Sequence, residues 1–421
     1  MLIDFTMENF KSFKNEAILS AEVGERLSRL KETNTINIGG TSVLKSLLIF
    51  GPNGAGKSNL LDGLKTMKTM VLNDPLRITD ALPADQFLLN TTSKEKDTKF
   101  AVAFKKGEAE YSYEFSYRSK KITHEKLTTI KSGHESVYFE RNGQSFIKVP
   151  ESLSDVASRT KLNSLFLFMA QQNNDAVAID VVTWFDDDLV FVGSYSEEEI
   201  PDDLAMLVKS DSVKKQLLRF LRFADFNIVD LEVLEGSALP TSGYILPFLH
   251  TNMRLLTVHK VYDSEGNYVG NKKMAMTSES RGTQKILMIA LSIISAELNG
   301  DGKTLLFDEF DDSLHLELSQ ALIKIFNSKP NKNQFILTTH ELQLLDAPIR
   351  VDQIYLVEKD FQGVSDLSSI FDFKDMRNSS RQGVSFMKRY IEGRFGAKPI
   401  IDPDEMLASL SSVQDEANDN G

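Results

Sequence analysis

Gly51, Gly56, Lys57 and Ser58 stand in the stretch Leu47-Leu48-Ile49-Phe50-Gly51-Pro52-Asn53-Gly54-Ala55-Gly56-Lys57-Ser58 at the spacing G-x-x-x-x-G-K-[ST]. An apolar run that reads as a buried strand precedes them, and a helix is expected from Asn59 to about Met70. The glycines let the backbone N–H groups of Asn53, Gly54, Ala55, Gly56, Lys57, Ser58 and Asn59 wrap phosphate oxygens. The helix aims its positive end at the same place. Lys57 is then set to reach the β- and γ-phosphates of a nucleoside triphosphate, and the Ser58 hydroxyl to hold Mg²⁺. Thr304-Leu305-Leu306-Phe307-Asp308-Glu309 is an apolar strand ending in two acids. Asp308 is the metal anchor of that pair, and Glu309 the group that orients and deprotonates water. Ser280 and Gly282 open the apolar helix Ile286–Leu298. A hydroxyl and free N–H groups at a helix start form an anion site, although taken alone the serine reads better as an N-cap. His340 ends a further apolar strand, Gln334–His340. Alone, it reads as structural.

These residues sit in a chain of 421 residues with 41% hydrophobic and 26% charged content, the balance of a soluble globular protein. The length suits one large domain or about two to three ordinary ones. No run of roughly 20 apolar residues marks a membrane span, and the first residues lack a signal-peptide layout. Cysteine is absent, which excludes disulfides and thiolate metal sites and agrees with a reducing cytoplasm. The six histidines show no zinc spacing. A formal charge of −12 argues against a protein that coats nucleic acid, while leaving room for a local basic groove.

The pattern divides the chain into four parts. Residues 1–148 form an N-terminal lobe. Strands are expected at 2–7, 9–14 and 17–19, an irregular stretch at 22–42, then the phosphate loop. Antiparallel strands come next at Phe100–Phe104, Tyr111–Tyr117, Lys121–Ile130 and Ser136–Glu140, with turns at Lys106-Gly107, Arg118-Ser119 and Asn142-Gly143. Residues 149–235 read as an inserted helical subdomain, with helices over 162–169, 180–185 and 204–223. Residues 236–372 form a C-terminal lobe with a strand at Leu255–Tyr262, the acid pair, a helix at Leu316–Asn327 and a strand at Ile354–Lys359. Residues 373–421 carry a basic extension, including Arg377, Arg381, Lys388, Arg389, Arg394 and Lys398, and then an acidic tail with a disordered composition.

Asn9-Phe10-Lys11-Ser12-Phe13 resembles the opening of ATPase heads of the SMC and RecF kind. That resemblance implies a phosphate contact for Lys11, and a Mg²⁺- and γ-phosphate-sensing role for Gln86 ahead of the antiparallel block. Glu279-Ser280-Arg281-Gly282-Thr283 resembles the ABC signature Leu-Ser-Gly-Gly-Gln at Ser280 and Gly282, and departs from it at Glu279, Arg281 and Thr283. Asp311-Asp312-Ser313-Leu314-His315 is similar to the D-loop of such heads. His340 takes the place of their switch histidine, with Thr339 assisting. The chain holds no sustained heptad run, so no long coiled arm is expected.

Over its whole length the chain resembles the RloA and AbiL group of prokaryotic ATPases. The motifs that carry this are those above, together with Phe-Asp-Glu-Phe-Asp-Asp-Ser-Leu-His and Tyr-Ile-Glu-Gly-Arg-Phe-Gly-Ala near the end. The resemblance implies an α/β P-loop NTPase of the ABC/SMC-head type. Its mixed central sheet would carry an antiparallel β lobe and the helical insertion. It implies ATP and Mg²⁺ as cofactors, with Lys57, Glu309 and His340 as catalytic residues. It also implies a head-to-head homodimer, or a higher oligomer, in which Ser280 and Gly282 of one chain close on the nucleotide of the other. Relatives of this kind resemble the ATPase of phage-defence systems such as PARIS, whose AriA-type subunit works with a separate effector nuclease or toxin. Two rivals remain at this point. One is a RecF-like DNA-maintenance ATPase that binds duplex DNA through Arg377 and Arg381. The other is a fused nuclease of the OLD kind using Asp402-Pro403-Asp404, for which little chain remains after His340.

Overall fold

The structure, a computed structural model, describes residues 1–24, 27–131, 133–193, 202–223, 227–235, 253–300, 302–373, 385–396, 404–405 and 407. The chain opens with β1 (Leu2–Glu8), whose Leu2, Phe5 and Met7 are buried. The strand expected at 9–14 is instead a tight turn. Asn9 and Lys11 take positive φ of 53° and 47°, and Phe10 bonds back to Phe13 at 2.9 and 2.8 Å. Both rings are fully buried, so packing rather than a ladder fixes this segment. β2 (Ala17–Ser20) runs back along β1. The stretch expected to be irregular holds a short helix α1 (Lys31–Asn34) and a hairpin, β3 (Thr35–Ile38) and β4 (Thr41–Leu44). Gly39 and Gly40 turn that hairpin at positive φ. Its strands are too short and too polar to show alternation in the sequence.

β5 (Ser46–Phe50) is buried at every residue and leads into α2 (Lys57–Leu72), which starts two residues before the sequence suggests. Leu60, Leu61, Leu64, Met67 and Val71 form the buried stripe of α2. The antiparallel block is β6 (Thr98–Lys106), β7 (Ala109–Arg118), β8 (Lys121–Lys131), β9 (His134–Asn142) and β10 (Ser145–Lys148). With β1 and β2 it makes a seven-stranded sheet in the order β10-β9-β8-β7-β6-β1-β2, every neighbour antiparallel.

The stretch read as helical contains α3 (Ser154–Arg159), α4 (Phe166–Gln172), α5 (Ala176–Thr183), then β11 (Leu189–Val192), α6 (Asp202–Val208), α7 (Asp211–Leu221) and β12 (Ile228–Glu235). The helix expected over 162–169 begins only at Phe166. Two strands within this stretch, β11 and β12, correct the all-helical expectation. A four-residue apolar run such as β11 carries no period that separates strand from helix. β13 (Met253–Tyr262) pairs with β12 and with β14 (Tyr268–Ala275) in a three-stranded sheet. α8 (Arg281–Leu298), β15 (Thr304–Phe307), α9 (Leu316–Phe326), β16 (Gln334–Thr339), β17 (Ile354–Lys359), β18 (Ser365–Ser369) and α10 (Phe386–Ile391) complete the chain order.

The central sheet runs β11-β15-β16-β5-β17-β18. Its first five strands are parallel and β18 is antiparallel on the edge. This is the mixed α/β fold that the sequence implies. Parallel pairing in register brings strand ends together: Phe307 lies opposite Leu337, and Thr339 opposite Phe50. The loops leaving β5, β15 and β16 therefore emerge at one carboxyl edge, where ligands of open α/β sheets bind. Buried side chains tie the two large sheets together. Leu2 N–H donates to Gln334 Oε1 at 2.9 Å, and Gln334 Nε2 donates to the carbonyls of Leu2 and Leu44 at 3.0 Å. Trp184 stacks on Phe104 with ring centroids 3.9 Å apart, joining the end of α5 to the antiparallel sheet. No helix of the described residues is long and apolar enough to cross a membrane.

Candidate functional site

Two glycines shape the loop between β5 and α2. Gly54 has φ 75° and Gly56 φ 117°. A Cβ at Gly56 would also stand 2.8 Å from Ser12 Oγ and against Ser365 Oγ, so only glycine fits there on two counts. Ser365 Oγ donates to the Ala55 carbonyl and lies 2.7 Å from Ser12 Oγ, and Asn59 Nδ2 donates to Ser12 Oγ at 2.8 Å. This brace from the first turn and from β18 went unseen in the sequence, because its partners are 353 positions apart. Lys57 is only 6% exposed. Its ammonium donates to the carbonyls of Gly51 at 2.7 Å and Pro52 at 3.1 Å. Burial lowers its pKa, and Glu309, Asp308 and Asp311 oppose that shift.

A cavity of about 470 Å³ opens here, lined by Asn53, Gly54, Gly56, Lys57, Ser58, Asn59, Glu309, His340 and Lys359. The parallel sheet thus gathers four separate sequence stretches on one space. Lys359, at the end of β17, is a further cation on that wall which the sequence pattern did not single out. Asp308 stands just behind, its Oδ1 accepting the Thr338 hydroxyl at 2.5 Å. Glu309 sits at φ 47°, a left-handed conformation that is uncommon for a residue with a side chain. Its N–H donates to Thr338 Oγ1 at 2.7 Å, and its Oε1 lies 3.6 Å from His340 Nε2. Thr339 donates its hydroxyl to Asp311 Oδ2 at 2.7 Å, while Asp311 Oδ1 is buried with no partner among the described residues. Burial raises the Asp311 pKa, partly offset by the Thr339 hydrogen bond.

Ser280 caps α8: the Thr283 N–H donates to its Oγ at 3.1 Å. Gly282 packs so closely on the backbone of Ser313 that a Cβ would stand 2.7 Å from the Ser313 carbonyl. Neither Ser280 nor Gly282 lines the cavity of its own chain. Lys285, one turn into α8, donates to the Asp308 carbonyl at 3.2 Å. The start of α8 is thereby joined to both ends of the acidic stretch 308–313.

Lys11 and Gln86 line a neighbouring cavity of about 350 Å³ that shares Asn59 and Lys359 with the first. Lys11 pairs with Asp62 of α2 at 2.7 Å. The structure therefore does not bring these two onto the cavity that holds Lys57. Arg377, Arg381, Lys398, Asp402 and Pro403 lie outside the described residues, as does most of the acidic tail, Asp404, Glu405 and Leu407 excepted.

The donor set fits a nucleoside triphosphate with Mg²⁺. A buried ammonium held only by carbonyls is ready to exchange them for an anion. Among the described residues no group of three or more His, Asp or Glu side chains forms a metal cage. The cavity wall offers instead the Ser58 hydroxyl and the Glu309 carboxylate, with Asp308 next to it in the chain, a sparse set of the kind that suits a Mg²⁺ ion that keeps waters and phosphate oxygens.

A family model described as "AAA domain, putative AbiEii toxin, Type IV TA system" matches residues 47–346. No curated protein matches the chain. Among solved structures, the SMC head domain from Thermotoga maritima is similar at 15% identity and a TM-score of 0.39, over 87% of this chain and 98% of that one. An SmcHead bound to the C-winged helix domain of ScpA gives 12% identity and a TM-score of 0.46, over 87% and 97%. An Smc head domain with an extended coiled coil, bound to the C-terminal domain of ScpA derived from Pyrococcus furiosus, gives 12% identity and a TM-score of 0.44, over 87% and 95%.

Proposed function

Since the chain belongs to the AAA-domain family that matches residues 47–346, we propose that it binds and hydrolyses ATP as an ABC-type ATPase working in pairs. The observation that carries this reading is the meeting of Lys57, Glu309 and His340 on one cavity at the carboxyl edge of the central sheet. In this reading Lys57 exchanges the Gly51 and Pro52 carbonyls for phosphate oxygens, as the backbone N–H groups of residues 53–59 close around them. Ser58 and Asp308 hold Mg²⁺, which when bound neutralises phosphate charge. Glu309 orients the attacking water and accepts its proton, and His340 senses the γ-phosphate. Lys11 and Gln86 take their phosphate- and metal-sensing roles only by moving from the adjoining cavity.

Ser280 and Gly282 lie off their own cavity, which supports a clasp on the nucleotide of a second copy. The toxin wording of the family description supports a regulated role. The chain then acts in the cytoplasm as the sensor and switch of an antiphage system, akin to the AriA-type ATPase of PARIS. It would control a separate effector nuclease or toxin.

The test is Glu309→Gln in the full chain with ATP and Mg²⁺. Turnover is expected to fall by about 100-fold or more, with an ATP-loaded pair accumulating in light scattering. Parental turnover, or no change of assembly, overturns the reading. ATPase stimulation by duplex DNA would move the role to DNA maintenance.

A further inference from the structure

Glu279 is one of three positions at which the signature stretch departs from its expected pattern, and the structure gives that carboxylate a specific place. Its side chain is 6% exposed, and Oε1 accepts from His259 Nε2 at 2.7 Å and from the Thr257 hydroxyl. His259 and Thr257 both stand on β13, the middle strand of the three-stranded sheet. The Glu279 carbonyl accepts from Gln284 Nε2 at 3.0 Å, and its N–H donates to the Met276 carbonyl at 3.1 Å. On the other side of Ser280, Thr283 bonds back to the serine through both its N–H and its hydroxyl. Ser280 is thus held between a cap inside α8 and a carboxylate bonded to another sheet.

A buried carboxylate one residue before the clasp is costly unless its partners are fixed. Thr257 and His259 lie two apart on one strand, so their side chains share a face and reach the same oxygen. Movement of β13 must carry Glu279 with it, and Glu279 is covalently next to Ser280.

We propose that Glu279 is a positioning residue, latched to His259 and Thr257 of β13, that sets where Ser280 stands when it closes on the partner copy's nucleotide. This rests on the paired-ATPase reading. The three-stranded sheet then acts as a lever on the clasp, separate from the cradle around Lys57. A load applied to that sheet would then reach the clasp through the Glu279 carboxylate, beside the short chain connection from β14 through residues 276–278.

The experiment compares Glu279→Ala and Glu279→Gln in the full-length chain carrying Glu309→Gln, with ATP and Mg²⁺. Sedimentation reads pairing, and a fluorescent ATP analogue at dilution reads the cradle. Glu279→Ala is expected to weaken pairing by about tenfold or more, with cradle affinity moving by less than about twofold. Glu279→Gln, whose amide oxygen can still accept from Thr257 and His259, restores pairing. Hydrogen exchange of residues 281–284 without nucleotide rises in the alanine variant and not in the glutamine one. Should Glu279→Ala lose its cooperative melt, His259→Leu carries the same comparison. Parental pairing and exchange in Glu279→Ala overturn the latch while the paired ATPase stands. A Glu309→Gln parent that never pairs with ATP overturns both.

Discussion

Thr338 donates its hydroxyl to Asp308 Oδ1 at 2.5 Å and accepts the Glu309 N–H at 2.7 Å. One side chain on β16 therefore orients the Asp308 carboxylate and holds the next residue in its left-handed backbone. Thr338→Val keeps the β-branched shape and removes both bonds. It leaves the Glu309 N–H unpaired, at a cost of about 1–3 kcal/mol in urea unfolding. Turnover is expected to drop by about 10- to 100-fold, the loss usual for a group that orients a ligand. Thr338→Ser, which keeps the hydroxyl, recovers most of the rate. Equal rates for Val and Ser would show that the hydroxyl orients nothing.

Gly282 and Ser313 meet backbone to backbone. A methyl group at 282 would stand 2.7 Å from the Ser313 carbonyl, and a backbone atom cannot rotate away. Gly282→Ala must therefore push α8 and the 311–315 loop apart, with a stability loss of about 1–3 kcal/mol. ATP-dependent pairing is expected to suffer more than binding to the single chain, since Gly282 lies off its own cavity. Thermal melts beside sedimentation check the two halves of that expectation.

Asp311 supplies a signed pH dependence. Burial is the main cause that raises its pKa above the ordinary 3.8, against the hydrogen bond from Thr339. The folded state therefore disfavours the charged carboxylate, and folding takes up a proton between the ordinary and the raised value. Stability attached to this group is present below the ordinary pKa and is lost as pH rises through the folded one. Asp311→Asn has no charge to bury. Its melting temperature is expected above the parent's at pH 7, and the gap is expected to close as pH falls towards 3.8. A gap that is constant with pH would place its origin elsewhere.

What was legible in the sequence was local. Gly51, Gly56, Lys57 and Ser58 declare themselves by spacing alone, and the apolar runs before Asp308 and His340 are strand-length and end in chemistry. The antiparallel strands were visible through glycine and serine turns such as Gly107, Ser119 and Gly143, which take positive φ. β11 was not legible, since four apolar residues have no period and its place is set by pairing with β15. Thr338 reads as ordinary strand composition until β15 is laid beside it. Lys359 and the Ser12–Ser365 brace depend on contacts between distant segments. The Lys11 expectation, a phosphate contact, overlooked Asp62, which faces it from α2.

Glu125 and Arg141 form an ion pair with both side chains at 0% exposure. Arg141 Nε donates to Glu125 Oε2 at 2.7 Å, and Tyr113 donates its hydroxyl to Oε1 at 2.9 Å. The same carboxylate accepts the N–H groups of Phe166 and Leu167 at 2.8 and 2.9 Å. It thus fastens the first turn of α4 to β7, β8 and β9. Glu125→Gln keeps the shape and one acceptor oxygen but leaves the guanidinium charge uncompensated. Removing one partner of a buried pair costs about 3–5 kcal/mol. Urea unfolding followed by circular dichroism should show the midpoint falling with little change in slope, because the surface exposed on unfolding is the same. Glu125→Leu combined with Arg141→Met removes both charges, and is expected to recover much of the loss because no ion remains buried. If the double variant were as unstable as the sum of its parts, the carboxylate's bonds to Phe166 and Leu167, not its charge, would be what holds α4 to the sheet.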